Sequence, residues 1–98
     1  MKNLKVIFAV ALLSGIFFTS CQKAADASFN YSENGAGTVN FTNTSSRASS
    51  YNWDFGDGSN STQTSPTHTY SSFGNYNVSL TADGSGGSGT NTQNINVQ

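Results

Sequence analysis

Cysteine is nearly absent from this 98-residue chain: there is one, Cys21. A single thiol excludes an internal disulfide, so a small fold must be held together by packing alone. There is one histidine, His68. One histidine and one cysteine cannot supply the cluster of ligands that zinc requires. A hydrolase would have to use His68 as its base, and no nucleophile elbow or oxyanion loop accompanies it. Charge is sparse as well, at 9% of residues with a formal net charge of −1. With no basic patch, nucleic acid is a poor candidate partner. No apolar run approaches the ~20 residues of a stable membrane span. The run from Val6 is interrupted at Ser14 and Gly15.

What is present begins with a targeting layout. Lys2 and Lys5 precede the apolar run from Val6 to Leu13, and small residues lead up to Cys21. A basic start, a short apolar middle and a small-residue exit describe a secretory signal. Phe18-Thr19-Ser20-Cys21 resembles a bacterial lipobox, with Phe18 in the place of the usual Leu. That resemblance implies cleavage after Ser20 and lipid on Cys21, and it accounts for an otherwise unpaired thiol. Several acyl chains, at ~0.8 kcal/mol per buried methylene, anchor firmly where one does not. The expected organisation is a lipoprotein signal peptide over 1–20, a lipid-anchored tether over 21–28 and a folded domain over 29–98. After residue 20 the cations are Lys23 and Arg47, against Asp26, Glu33, Asp54, Asp57 and Asp83, which leaves a net charge of −3.

The domain reads as strands. Tyr51, Trp53 and Phe55 alternate, so a pleated strand turns all three to one face, and the pattern stops at the tight turn Gly56-Asp57-Gly58. Phe29 and Tyr31 predict a first strand, Asn34 to Gly37 a turn, and Thr38 to Thr42 a second strand with Val39 and Phe41 inward. Ser59 to Ser65 predicts a short polar edge strand, Pro66 a corner, and Thr67 to Tyr70 a strand with His68 and Tyr70 on one face. Asn75 to Ala82 alternates most regularly, with Tyr76, Val78, Leu80 and Ala82 inward. Asp83 to Thr90, rich in Gly and Ser, predicts a flexible loop before a last strand near Asn91 to Val97. With no amphipathic helical window, the pattern predicts an all-β sandwich of about seven strands. At ~70 residues such a domain buries only ~60% of its unfolded surface, so the aromatic rings must supply most of the core.

Trp53-Asp54-Phe55-Gly56-Asp57-Gly58 resembles the signature of the PKD (polycystic kidney disease) domain. The likeness continues through Pro66, His68-Thr69-Tyr70, Gly74, Tyr76, Val78 and Leu80. It covers Tyr51 to Ala82; upstream, Phe29 to Phe41 agrees only in strand character. The resemblance implies an immunoglobulin-like β-sandwich in which these residues, His68 included, belong to the framework. It also implies a non-catalytic module that contacts polysaccharide or protein.

Calcium, which some family members bind, would use Asp54 and Asp57. Two carboxylates three apart fall short of the six to eight oxygens calcium takes. A structural role is the preferred reading: Asp57 accepting hydrogen bonds within its turn and Asp54 bonding a neighbouring loop. No other cofactor is expected. Most rings have a core face available, Tyr31 among them. Tyr51 and Phe73 are the expected ligand contacts, because Phe73 falls in a turn. The reading is therefore a module of the bacterial cell envelope, held to the outer membrane by lipid at Cys21 and either periplasmic or surface-exposed. Its partners would be the membrane and a polysaccharide or envelope protein. The alternative is a structural spacer or assembly subunit with no ligand of its own.

Overall fold

Alternating residues build two facing sheets in the computed structural model, which describes residues 22–98. The expected signal peptide and Cys21 lie outside the described residues. Seven strands follow in order: β1 (Phe29–Gly35), β2 (Thr38–Asn43), β3 (Ser50–Asp54), β4 (Asn60–Ser61), β5 (Thr67–Thr69), β6 (Gly74–Gly84) and β7 (Gly87–Val97). One sheet has the order β1-β2-β5 and the other β4-β3-β6-β7. All pairings are antiparallel. This is the all-β sandwich that the alternation predicts, with the immunoglobulin-like form that the resemblance implies.

The inward set is Val39 and Phe41 from β2, Trp53 and Phe55 from β3 and its exit, Val78, Leu80 and Ala82 from β6, and Ile95 and Val97 from β7. Trp53 is fully buried. In antibody domains the core Trp packs on a disulfide; here it packs on rings. Phe29 meets it edge-on at 5.0 Å and Phe41 lies tilted at 5.2 Å. Its Nε1 donates to the Gln63 carbonyl at 2.9 Å, so the indole is buried without an orphaned donor.

Three details depart from the sequence reading. The β1–β2 hairpin does not: it turns at Ala36-Gly37, within the expected turn from Asn34 to Gly37. Both turn residues are left-handed (φ 57° and 83°), as a two-residue hairpin requires. Tyr31 is not a core residue: it is 40% exposed, because β1 is an edge strand on which only Phe29 is buried. Tyr31 covers Phe41 from the rim, at 6.5 Å between rings.

The second departure is the stretch from Asp83 to Thr90, which is not a flexible loop. β6 and β7 stay paired in register to Gly84↔Gly87, leaving a turn of Ser85-Gly86. Cβ atoms at Gly84, Gly86 and Gly89 would collide with the carbonyl oxygens of Arg47, Lys23 and Ala25 respectively. These glycines permit close packing of backbone on backbone. The last departure is the expected tether, which is partly built into the sandwich. Ala25 and Ala27 are buried, Asp26 and Ser46 exchange backbone hydrogen bonds at 3.0 Å, and Ala25 N–H donates to Gly87 at 3.1 Å.

Candidate functional site

The turn after β3 gathers most of the chain's side-chain chemistry. Gly56 is left-handed (φ 84°), and a Cβ there would strike the Asn77 carbonyl of β6, so the chain reverses directly over the neighbouring strand. Asp54 Oδ1 accepts from Gly56 N–H, and Asp57 Oδ1 accepts from Ser59 N–H, each at 3.0 Å. The second oxygen of Asp57 reaches His68 Nε2 at 2.7 Å. His68 stacks on Phe55 (4.2 Å between rings, 6° between planes) and meets the Tyr70 ring edge-on at 4.6 Å. The Tyr70 hydroxyl then donates to the Phe55 carbonyl at 2.8 Å. One closed unit thus links β3, the turn and β5. Beside it Tyr76 stacks on Tyr70 at 4.2 Å and donates to the Ser72 carbonyl at 2.8 Å, tying down the β5–β6 loop.

Electrostatics follow from this arrangement. Burial alone pushes the Asp57 carboxyl up. The hydrogen bonds from His68 and Ser59, together with attraction to His68, outweigh it and hold the group below the ordinary carboxylate range. Burial, reinforced by the Asp57 charge, pushes the Tyr70 phenol well above its ordinary value, so it remains a neutral donor.

The Asp57–His68 pair was not legible as a pair, because eleven residues separate the partners. The only hint was that both belong to the signature. The pair resembles two-thirds of a catalytic triad, but among the described residues no serine hydroxyl is hydrogen-bonded to His68. Of the calcium candidates, Asp54 Oδ1 and Asp57 Oδ1 are engaged by their own turns and Asp57 Oδ2 by His68, and no cluster of three His, Cys, Asp or Glu occurs among the described residues.

The two expected ligand contacts lie apart. Tyr51 is half-buried against the core and pairs with Ala82 near the end of β6. Phe73 is 67% exposed and immediately precedes β6. Nine residues of extended chain separate the two positions, about 30 Å along the sheet. Phe73 instead lies against the β1–β2 turn, where a Cβ on Gly37 would be 3.8 Å from its ring. Among the described residues the other large exposed apolar side chain is Tyr31, on β1 of that hairpin. Sequence reasoning missed it because parity describes a face, not whether another sheet covers that face.

Comparison with known proteins agrees with this geometry. No curated protein matches the chain. Among solved structures, the PKD1 domain of Vibrio anguillarum Epp is 34% identical, with 78% of this chain and 95% of that one covered and a TM-score of 0.71. The PKD1 domain of the Vibrio cholerae metalloprotease PrtV is 41% identical, covering 76% and 98%, with a TM-score of 0.69. A structure described as concerning carbohydrate-binding modules of the β-sandwich superfamily is 30% identical over 76% of this chain, with a TM-score of 0.67. This chain spans only 34% of that larger one. The PKD domain family itself matches over residues 21–98, the whole of the described sandwich, and the chain belongs to that family.

Proposed function

We propose that the protein is a non-catalytic binding module of the bacterial cell envelope, anchored by lipid at Cys21 and contacting polysaccharide or protein. The observation that carries the reading is the exposure of Tyr31 on β1 and of Phe73 against the β1–β2 turn, in a domain that buries its other large rings or packs them against the core. Exposed rings on a rigid scaffold suit stacking on a sugar or seating in a partner's pocket. The carbohydrate-binding neighbour supports the first of these. His68, Asp57 and Tyr70, which could have carried chemistry, are spent on holding the turn.

The test is binding of residues 22–98 to a panel of polysaccharides and envelope proteins. Saturable binding that Phe73→Ala or Tyr31→Ala weakens supports the module. Binding to nothing by the folded domain turns the assignment to a spacer. Fatty-acid labelling of the full chain tests the anchor, and Cys21→Ser should abolish it; unchanged labelling would rule the anchor out.

A further inference from the structure

Residues 22–98 contain two cations, Lys23 and Arg47, and both line the same cleft. The cleft has a volume of about 470 Å³ and opens between the N-terminal segment, the loop before β3 and the β6–β7 turn, with Ser49 and Ser85 on its walls. Glycine builds it. Gly84 and Gly86 bring the turn onto the carbonyls of Arg47 and Lys23, closer than any other residue could. The backbone of both cation-bearing residues is therefore set by main-chain packing. Arg47 is left-handed (φ 61°), and its Nε donates to the Ala24 carbonyl at 3.1 Å. That bond fixes the root of the guanidinium, and its terminal nitrogens have no protein partner among the described residues. A guanidinium presented this way suits the forked recognition of phosphate. Neither cation forms an ion pair among the described residues. Asp26 and Asp83, the nearby acids, engage this end through their backbones, to Ser46 and Ser49 respectively.

We infer that this cleft binds the phosphates of anionic lipid headgroups and docks its end of the sandwich onto the bilayer. The inference rests on the reading of Cys21 as the lipid-bearing residue. Lys23 is two residues further along, so at most ~7 Å of chain separates their Cα atoms. A lipid on Cys21 therefore brings the cleft to the headgroup layer. Each cation near an anionic surface favours that contact about fivefold, and the two together about twenty-fivefold. The orientation has a consequence for the proposed module. β3 begins and β6 ends at the cleft, so the signature turn and Phe73, at the other ends of those strands, point away from the membrane. The exposed ring then faces whatever lies beyond the bilayer.

The test uses the acylated full-length product in nanodiscs of phosphatidylcholine, alone or mixed with phosphatidylglycerol, with spin-labelled headgroups. Mass spectrometry first establishes the acyl chains. Their absence removes the anchor, and with it the membrane as the source of phosphate. In mixed discs the label should broaden the amides of Ser49 and Ser85 but not those of Asp57 and Asn75, and added salt should reverse the effect. Lys23→Gln with Arg47→Gln should reduce the docking equilibrium about twenty-fivefold, and Lys23→Gln alone about fivefold. Arg47→Lys, which keeps the charge but loses the fork, should retain more of it than Arg47→Gln and less than the parent chain. If the double variant fails to fold, Lys23→Gln carries the test, because that side chain is exposed. Equal broadening in neutral discs, or in the charge variants, overturns the inference. Inorganic phosphate shifting the same amides as strongly as the mixed discs would identify a free anion as the ligand and overturn the membrane assignment.

Discussion

The two ends of the sandwich are held by opposite means. At the signature end, side chains make the contacts: Asp57 pairs with His68, His68 stacks on Phe55, and Tyr70 closes the unit onto the Phe55 carbonyl. At the cleft end, backbone meets backbone: Gly84, Gly86 and Gly89 press on the carbonyls of Arg47, Lys23 and Ala25. A reader of the sequence takes the first end as ordered and the second as loose, since rings and carboxylates advertise contacts and glycines advertise freedom. The structure makes both ends ordered. A glycine-rich stretch is flexible only when nothing approaches it, and here the N-terminal segment does.

Trp53→Ala probes what the ends share. Removing the buried indole should cost ~3–5 kcal/mol in chemical denaturation, and the amides of Ser59 and Ala25 should lose exchange protection together. If one end kept its protection, the two would be separate folding units. Gly84→Ala probes the cleft end alone. Its Cβ has no room against Arg47, so the hairpin must move, at about 2 kcal/mol. Ala25 and Ser49, which bond the β6–β7 hairpin at 3.1 and 2.7 Å, should exchange faster while Ser59 does not. An unshifted melt would mean that the glycines face open space and that this end is as loose as its composition suggests. Tyr70→Phe is the counterpart at the signature end. It leaves the Phe55 carbonyl without its donor, at about 1 kcal/mol, and should spare Ala25.

The smallest effect is in acid. Against burial, the pair with His68 and the bond from Ser59 hold the folded Asp57 carboxyl below the ordinary carboxylate range. The unfolded chain therefore binds the proton first as pH falls. The stabilisation is fully present above about pH 4 and is lost as pH drops through the lower folded value. Asp57→Asn should flatten this acid limb of the stability curve and Gly84→Ala should preserve it. An acid limb unchanged in Asp57→Asn would remove the pair with His68 from the account of that end.

The legibility of each part follows the same division. β3 and β6 could be read because alternation is a property of neighbours in sequence: Trp53 and Phe55, or Val78 and Leu80, announce their face with no knowledge of the rest of the chain. The turn chemistry of Asp54 and Asp57 is equally local, each bonding two residues ahead. Tyr31 has the same parity signal as Phe29, yet it lies at an uncovered rim, and only the arrangement of the sheets decides that. Tyr51 and Phe73 looked equivalent as candidate contacts until the register of β3 on β6 placed them at opposite ends of the sheet.

The sequence by itself determined the middles of the strands, most of the inward residues and the signature turn, because these depend on spacings of two or three residues. Tertiary structure alone decided that the N-terminal segment joins the sandwich, that the glycines clamp it, and that Lys23 and Arg47 share one cleft. Each of those contacts joins residues dozens of positions apart. Glycine carries no side chain that could have recorded its partner in the sequence.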